Sequence, residues 1–429
     1  MNLKLFYLPL IIGAMGLATS CKSDDPVTPG EQLEEKTYST SDDLSIILDG
    51  TAVTGQTVTF TPSADGKGTI TIAGVMLDLN DLIGSIPTKA VMPGIPTPSM
   101  IPGSSSVSIP VELSGDANNC TFSGNGESTY CTFSYDGTLT ADKLSLSISE
   151  LKLKNTSIAG TYAAPENIYI TDSRGDQQVA LNKVMRIIWE ADSTIEVAPG
   201  WSLPVKTILP LTMMMVTLPD ADGNKQQLPT LLNEVLKEVT FGEDGSVTAK
   251  YADTKQEGWP AVTSPKGFAQ YVVKEDGTLL LFLNPQSIIA SALPGLNGST
   301  KAIDPSAIVE GLLTTVVPMI SNGIPVRYGK CLALDEEGQI IYNEDGAPTF
   351  DTDSSNVSFY LDNETLLPIL KLAAPIISDD DIINSIVEIA QKDPIMGSMA
   401  ESLPGILKSL PGVIDTTTDI QLGLNLVKK

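Results

Sequence analysis

"CTFSGNGESTYCTFSYDGTLTADKLSLSISELKL", residues 120–153, is the stretch that decides how this chain folds. Its last third alternates: Leu144, Leu146 and Ile148 face one way while Ser145, Ser147 and Ser149 face the other. A period of two places successive side chains on opposite sides of a sheet, so this is a strand with one buried face. Upstream, Asn125-Gly126 and Asp136-Gly137 are dipeptides that tolerate positive φ, and each predicts a hairpin turn. With Asn125-Gly126 as a two-residue turn, Cys120 falls opposite Cys131. Opposed residues lie about 4.5–5.5 Å apart at Cα, within disulfide range. In an oxidising compartment this predicts a Cys120–Cys131 disulfide worth about 2–3 kcal/mol. The alternative is two buried thiols beside Phe122 and Phe133.

The β signal spreads outward from there. It runs from Leu44 to about Tyr162, through "LSIILDG", "QTVTFTPSADGKGTITIAG" and "SVSIPVELSG". Asp-Gly recurs at 49, 65, 136, 222, 244, 276 and 345, and "VTFTPSADGKGT", "CTFSYDGTLTA", "VTFGEDGSVTA" and "VVKEDGTLLL" repeat one hairpin grammar. Their irregular spacing argues against a solenoid. From about Pro165 hairpins mix with helical periodicity in "LPTLLNEVLKEV" from Leu228, "DPSAIVEGLLTTVV" from Asp304 and "DDDIINSIVEIAQK" from Asp379. "ILPLTMMMV", 208–216, reads as a core strand, with a lipid-facing position inside a lobe as the alternative, and "DIQLGLNLVKK" as a closing strand. The expected fold is β-rich α+β: an N-terminal antiparallel β-barrel or sandwich over 41–163, followed by a mixed α+β domain over 164–429.

The first residues address the chain. Lys4 precedes the apolar run "LFYLPLIIGAMGLA" and small residues before Cys21, the pattern of a secretory leader too short for a permanent span. Ala18-Thr19-Ser20-Cys21 resembles the processing site of bacterial lipoproteins, although Ala18 stands where leucine is usual. That resemblance makes residues 1–20 a signal peptide and Cys21 the lipidated first residue. One acyl chain anchors only marginally, at about 0.8 kcal/mol per buried CH2, whereas two or three anchor firmly. Lys22-Ser23-Asp24-Asp25 resembles the sorting signal that sends Bacteroidetes lipoproteins to the outward face of the outer membrane. Residues 21–40 carry Pro, Gly and charge without periodicity and read as a disordered tether.

Composition narrows the chemistry. With 52 acidic against 26 basic side chains the net charge is −26, a surface that repels nucleic-acid phosphates. The chain has no histidine, which removes Ser-His-Asp and Cys-His catalysis, His-based zinc hydrolysis and imidazole proton shuttling together. Cys331 is left as a lone thiol without an imidazole to activate it. "SELK" from Ser149 puts Ser149 and Lys152 on opposite faces of a strand, which rules out a Ser-Lys pair. "DADGNKQQLPTL" from Asp220 and "DTDSSNVSFYLD" from Asp351 have the look of calcium loops but lack glycine at the sixth position and a closing Glu, so no metal or cofactor is expected. Paired carboxylates remain available for glycoside cleavage.

Two features suit binding. Trp201 in "APGWSLP" and Trp259 in "EGWPAV" lie in Gly/Pro loops, where an indole either stacks on a sugar or folds back to plug a core edge. The apolar, Pro- and Met-rich stretch 86–106 either lines an apolar cavity or meets a partner, or packs as a long loop on its own barrel.

"VTFGEDGSVTAKY", "SPKGFAQYVVKEDGTLLLFLNP", "SNGIPVRY", "LLPIL" and "LGLNL" together resemble an uncharacterised Bacteroidetes lipoprotein family, the domain-of-unknown-function family numbered 4925. The β-rich first lobe is similar to the calycin-like barrels of related lipoproteins. The resemblance implies an outer-membrane address and an architecture but no site residues. The function expected is a lipid-anchored, outward-facing, non-catalytic binding or scaffold module whose ligand is a glycan or an apolar small molecule. A carboxylate-dependent glycan hydrolase is the alternative.

Overall fold

The computed structural model describes residues 28–40, 42–77, 94–171, 177–215, 217–284, 317–392 and 400–429. The expected signal peptide, Cys21, the helix expected from Asp304 as far as residue 316, and residues 86–93 lie outside the described residues.

The meander of residues 120–153 belongs to a sandwich. One sheet takes β1 (Lys36–Ser39), β4 (Gln56–Ser63), β5 (Lys67–Gly74) and β6 (Ser106–Glu112) in the order β1-β4-β5-β6. The other takes β2 (Leu44–Leu48), β3 (Thr51–Val53), β7 (Ser114–Gly115), β8 (Asn119–Glu127), β9 (Cys131–Thr140) and β10 (Leu144–Leu153), in the order β3-β2-β10-β9-β8-β7. Val58, Phe60, Ile70 and Ile72 of the first sheet and Leu139, Leu144, Leu146 and Ile148 of the second share one core. Alternating burial along β6 and β10 supplies those faces. Of the two expected N-terminal architectures the sandwich is observed, but it is not wholly antiparallel: β2 pairs with β10 in parallel, from Leu44↔Leu144 to Leu48↔Ile148. The barrel lies in the C-terminal half.

That barrel is built from β11 (Gly160–Ala163), β17 (Leu236–Phe241), β18 (Ser246–Ala252), β20 (Ala269–Val273), β21 (Leu279–Leu283), β22 (Ile324–Lys330), β23 (Asn356–Leu361) and β24 (Thr417–Lys428), while β19 (Ala261–Thr263) pairs with β18 off the ring. Each stave pairs antiparallel with the next in that order, and β24 returns to β11 through Tyr162↔Lys428 and Ala163↔Val427. Closing the ring removes the open edges of an eight-stranded sheet. The register puts Tyr162, Val239, Phe241, Tyr271, Leu281, Tyr328, Phe359 and Leu426 on one face. Rings on non-adjacent strands touch: Phe241 stacks on Phe359 at 5.2 Å, and Tyr162 meets Phe359 edge-on at 5.3 Å. That face is therefore the interior, and side chains fill it.

The strand Gly160–Ala163, expected at the end of the first domain, is thus a stave of the barrel. The barrel's outer wall meets the sandwich through residues 98–102. Met100 and Ile101 are buried against it, and Gln270 Nε2 donates to the carbonyls of Ser99 and Met100 at 3.1 and 3.4 Å.

A third layer covers the opposite flank. It contains the hairpins β12 (Tyr169–Thr171) with β13 (Gln177–Val179) and β15 (Thr194–Ala198) with β16 (Trp201–Pro204). Strand β14 (Met185–Ala191) pairs with β24, and the helices are α1 (Val205–Met215), α2 (Leu228–Val235), α3 (Asn363–Ile377), α4 (Asp380–Lys392) and α5 (Leu403–Asp415). Trp189, Ile195, Val205, Leu366, Val413 and Ile420 form its separate core. Arg327 on β22 clamps this layer to the barrel. Its Nε donates to Asp362, the N-cap of α3, at 2.8 Å, and its Nη2 to Glu364 at 2.9 Å.

Several expectations change. Residues 28–40, placed in the tether, are folded: Gly30 N and Gln32 N donate to Asp116 O and Ala117 O, and Leu33 and Tyr38 are buried. Residues 208–215 of "ILPLTMMMV" lie in helix α1 rather than a strand, because Val205, Ile208 and Leu209 pack on the second core at helical spacing despite Pro210. The Cys120–Cys131 disulfide is absent; both thiols are free. Strand β8 runs through Asn125-Gly126 to Glu127, so Cys120 faces Leu139 and Cys131 faces Leu153. The turn sits at Ser128, whose Oγ accepts from the amides of Tyr130 and Cys131.

Candidate functional site

The described surface offers two adjoining clefts on the third layer. A tongue of residues 331–355 leaves the barrel between β22 and β23 and folds back in two tight turns, Asp335–Gln339 and Asn343–Ala347. In each the first side chain accepts from the amide four residues on, and the fourth residue is a glycine at φ +71 or +78. This is the three-residue hairpin loop with a left-handed glycine. The tongue is seated by Asn182, whose Nδ2 donates to Gly338 O at 3.0 Å. Gly338 lies so close to Ala180 that a Cβ there would sit 2.6 Å from Ala180 Cβ.

Beneath the tongue lies the larger cleft, about 450 Å3. Ile187 and Trp189 of β14 form one wall, Leu209, Leu211 and Met214 of α1 another, and Ile170 and Tyr342 the remainder. Its charged groups are Glu190 and Lys206, paired with each other at 3.0 Å. A cleft of about 270 Å3 adjoins it across Asn182 and contains Ile168, Cys331 and Phe350. Leu211, Tyr342, Ile168 and Phe350, four of the large apolar residues left exposed, line these clefts, and Tyr169 and Ile341 are their chain neighbours. Exposed apolar side chains gathered around a concavity mark a binding surface better than scattered ones do.

A third cleft, about 320 Å3, separates the sandwich from the barrel and carries Asp49, Asp244, Lys266 and Gln270 beside Phe268 and Phe282. Burial raises the Asp244 carboxyl, but hydrogen bonds from Lys266 and Ser246 outweigh it and hold the group below the usual aspartate value.

The residues singled out from sequence do not converge. Trp201 is 60% exposed on the β15–β16 hairpin. Trp259 is half-buried at φ +47 in the loop 253–260 after β18, and neither indole lines a cleft described above. Cys331 is buried, and burial with Asp351 nearby pushes its thiol up to about 11 against the opposing pull of Lys183 and Arg186. Such a thiol is a poor nucleophile at neutral pH. The two calcium-like loops are tied internally. Asp220 accepts from the amides of Asp222 and Asn224, and Asp351 from the amide of Asp353 and the Asn356 side chain. Among the described residues no cluster of three or more Cys, Asp or Glu side chains is arranged to hold a metal. No described helix is long and apolar enough to cross a membrane.

Trp189, Lys206 and Tyr342 are the site residues that sequence reading passed over, while Leu211 lies in the stretch 208–216, which reads as a core strand in preference to a lipid-facing one. The available signal was Ile340-Ile341-Tyr342 set between two acidic turns, an apolar triplet where solvated residues belong.

No known family model, curated protein or solved structure matches this chain. The family resemblance therefore rests on the short motifs quoted above.

Proposed function

We propose that the chain is a lipid-anchored protein of the outer cell surface, related to the Bacteroidetes lipoproteins its motifs resemble. Its folded body binds an apolar ligand without catalysis in the cleft beneath the tongue. The observation carrying the ligand assignment is an apolar-walled cleft of about 450 Å3 on a body whose barrel interior is occupied by its own aromatic rings. The glycan reading has less support, because Trp201 and Trp259 lie on separate loops outside the clefts. For the hydrolase alternative a carboxyl held protonated near neutrality is needed as general acid. The described carboxyls with displaced values, Asp43, Glu127, Asp220, Glu238, Asp244, Asp276 and Asp353, all move downward.

The test is a thermal-shift titration of residues 22–429 with decanol and, separately, with a panel of oligosaccharides. Decanol raises the midpoint, and Met214→Gln weakens the effect, because only a binder of the folded state stabilises it. A rise with oligosaccharides alone overturns the ligand assignment, and release of reducing ends overturns the non-catalytic one. Detergent phase partitioning of the cell-derived protein tests the anchor: recovery in the aqueous phase removes it.

A further inference from the structure

The proposal above leaves open what carries the apolar group, and the tongue supplies an answer that rests on that same site. Between Cys331 and Asn356 the chain holds Asp335, Glu336, Glu337, Glu344, Asp345, Asp351 and Asp353 and no lysine or arginine. All but Asp351 are exposed. Among the described residues none of the seven enters an ion pair, whereas other surface acids, such as Glu127, Glu190 and Asp362, do. Glu344 and Asp345 form the tip of the second turn, two and three residues from Tyr342 on the cleft wall. The one lysine in the cleft, Lys206, is already neutralised by Glu190.

An apolar floor under a rim of unpaired negative charge fits a partner with the reverse pattern. We propose that the cleft beneath the tongue docks a cationic amphipathic peptide segment, its large apolar side chains in the cleft and its lysines or arginines against the tongue. A second copy of this chain is a poor occupant, since each carries a net charge of −26 and the rim repels its own kind. A neutral apolar molecule would use the floor but gain nothing from the rim. Charge of this kind acts mainly through orientation and encounter, so the affinity should weaken as salt screens it.

The experiment compares three probes on residues 22–429 by calorimetry: a helical peptide with leucines on one face and lysines on the other, the same peptide with glutamates for lysines, and decanol. Two double variants accompany them. Glu344→Lys with Asp345→Lys reverses the tongue tip. Asp136→Lys with Asp142→Lys makes the same charge change on the sandwich, at exposed positions remote from the cleft. The lysine peptide should bind about tenfold tighter than its glutamate counterpart at low salt and should compete with decanol. The tongue variant should lose roughly fivefold or more, and the sandwich variant less than about twofold.

Equal losses in both variants would reduce the effect to overall charge and overturn the inference. Equal binding of the two peptides would do the same. Decanol binding without any lysine-peptide binding would sink this inference and leave the apolar-ligand function standing. Failure of all three probes would sink both.

Discussion

Replacing Phe241 by alanine tests whether the barrel interior is a packed core. The ring is 7% exposed and touches Tyr162 at 5.7 Å, Tyr271 at 5.1 Å and Phe359 at 5.2 Å. Losing the transfer free energy of the buried ring costs about 2 kcal/mol. A residual cavity of about 100 Å3 at roughly 24 cal/mol per Å3 adds about 2 more. The sum, about 4 kcal/mol, falls within the usual range for a buried Phe→Ala change. The position opposite Phe241 on β11 is Gly160, which has no side chain to swing into the space. Urea titration followed by near-ultraviolet dichroism gives the stability loss. Addition of benzene, which fills dry engineered cavities, should raise the variant's midpoint and leave the parent's unchanged. A loss below about 1 kcal/mol, or a parent protein that responds to benzene as strongly as the variant, would mean the lumen is already open.

Other outcomes follow from single positions. Gly423→Val should abolish folding or cost at least about 3 kcal/mol, since a Cβ there runs into the carbonyl of Phe359 and the backbone of Tyr360; thermal denaturation reads this directly. Unfolding without reductant should leave Cys120, Cys131 and Cys331 all open to alkylation, seen as three additions by mass spectrometry. In the native state Cys331 should react only in strongly alkaline solution, its thiol being pushed up to about 11. Asp244 has a folded pKa below its unfolded one, so its contribution to stability is fully present above the unfolded value and is lost as pH falls through the folded one. Asp244→Asn should therefore lower stability most in the neutral region and flatten the acid limb, with the variant and parent profiles converging as pH falls below about 4.

What was legible in the sequence was local, and what was hidden was long-range. The turns Gly242–Ser246 and Lys274–Thr278 share the backbone hydrogen bonding of the two tongue turns, with Gly245 and Gly277 at φ +80 and +82, so the repeated Glu-Asp-Gly units did announce hairpins. Asp49-Gly50 and Asp65-Gly66, with both φ values positive, are the tighter two-residue kind. Asn125-Gly126 and Asp136-Gly137 carry the same letters and are not turns. Gly124 and Gly126 lie under the rings of Tyr135 and Phe133, and Gly137 lies under Phe122, so each glycine clears space for an aromatic ring on the neighbouring strand. That exchange of roles moved the register and dissolved the expected disulfide.

Barrel closure was unreadable for a different reason. It joins Tyr162 to Lys428, far apart in the chain; most staves show half-buried patterns without clean alternation, and helices and the tongue separate them in sequence. The cleft was missed because its walls come from β14, α1 and the tongue, which no local motif connects.

Amide hydrogen exchange of residues 22–429, with and without saturating decanol, is the most direct test of where the ligand sits. Binding under the tongue predicts added protection in Met185–Ala191, Val205–Met215 and residues 338–342, with the barrel strands unchanged. Protection centred instead on Leu236–Phe241, Ala269–Val273 and Asn356–Leu361 would place the ligand in the barrel and contradict the account.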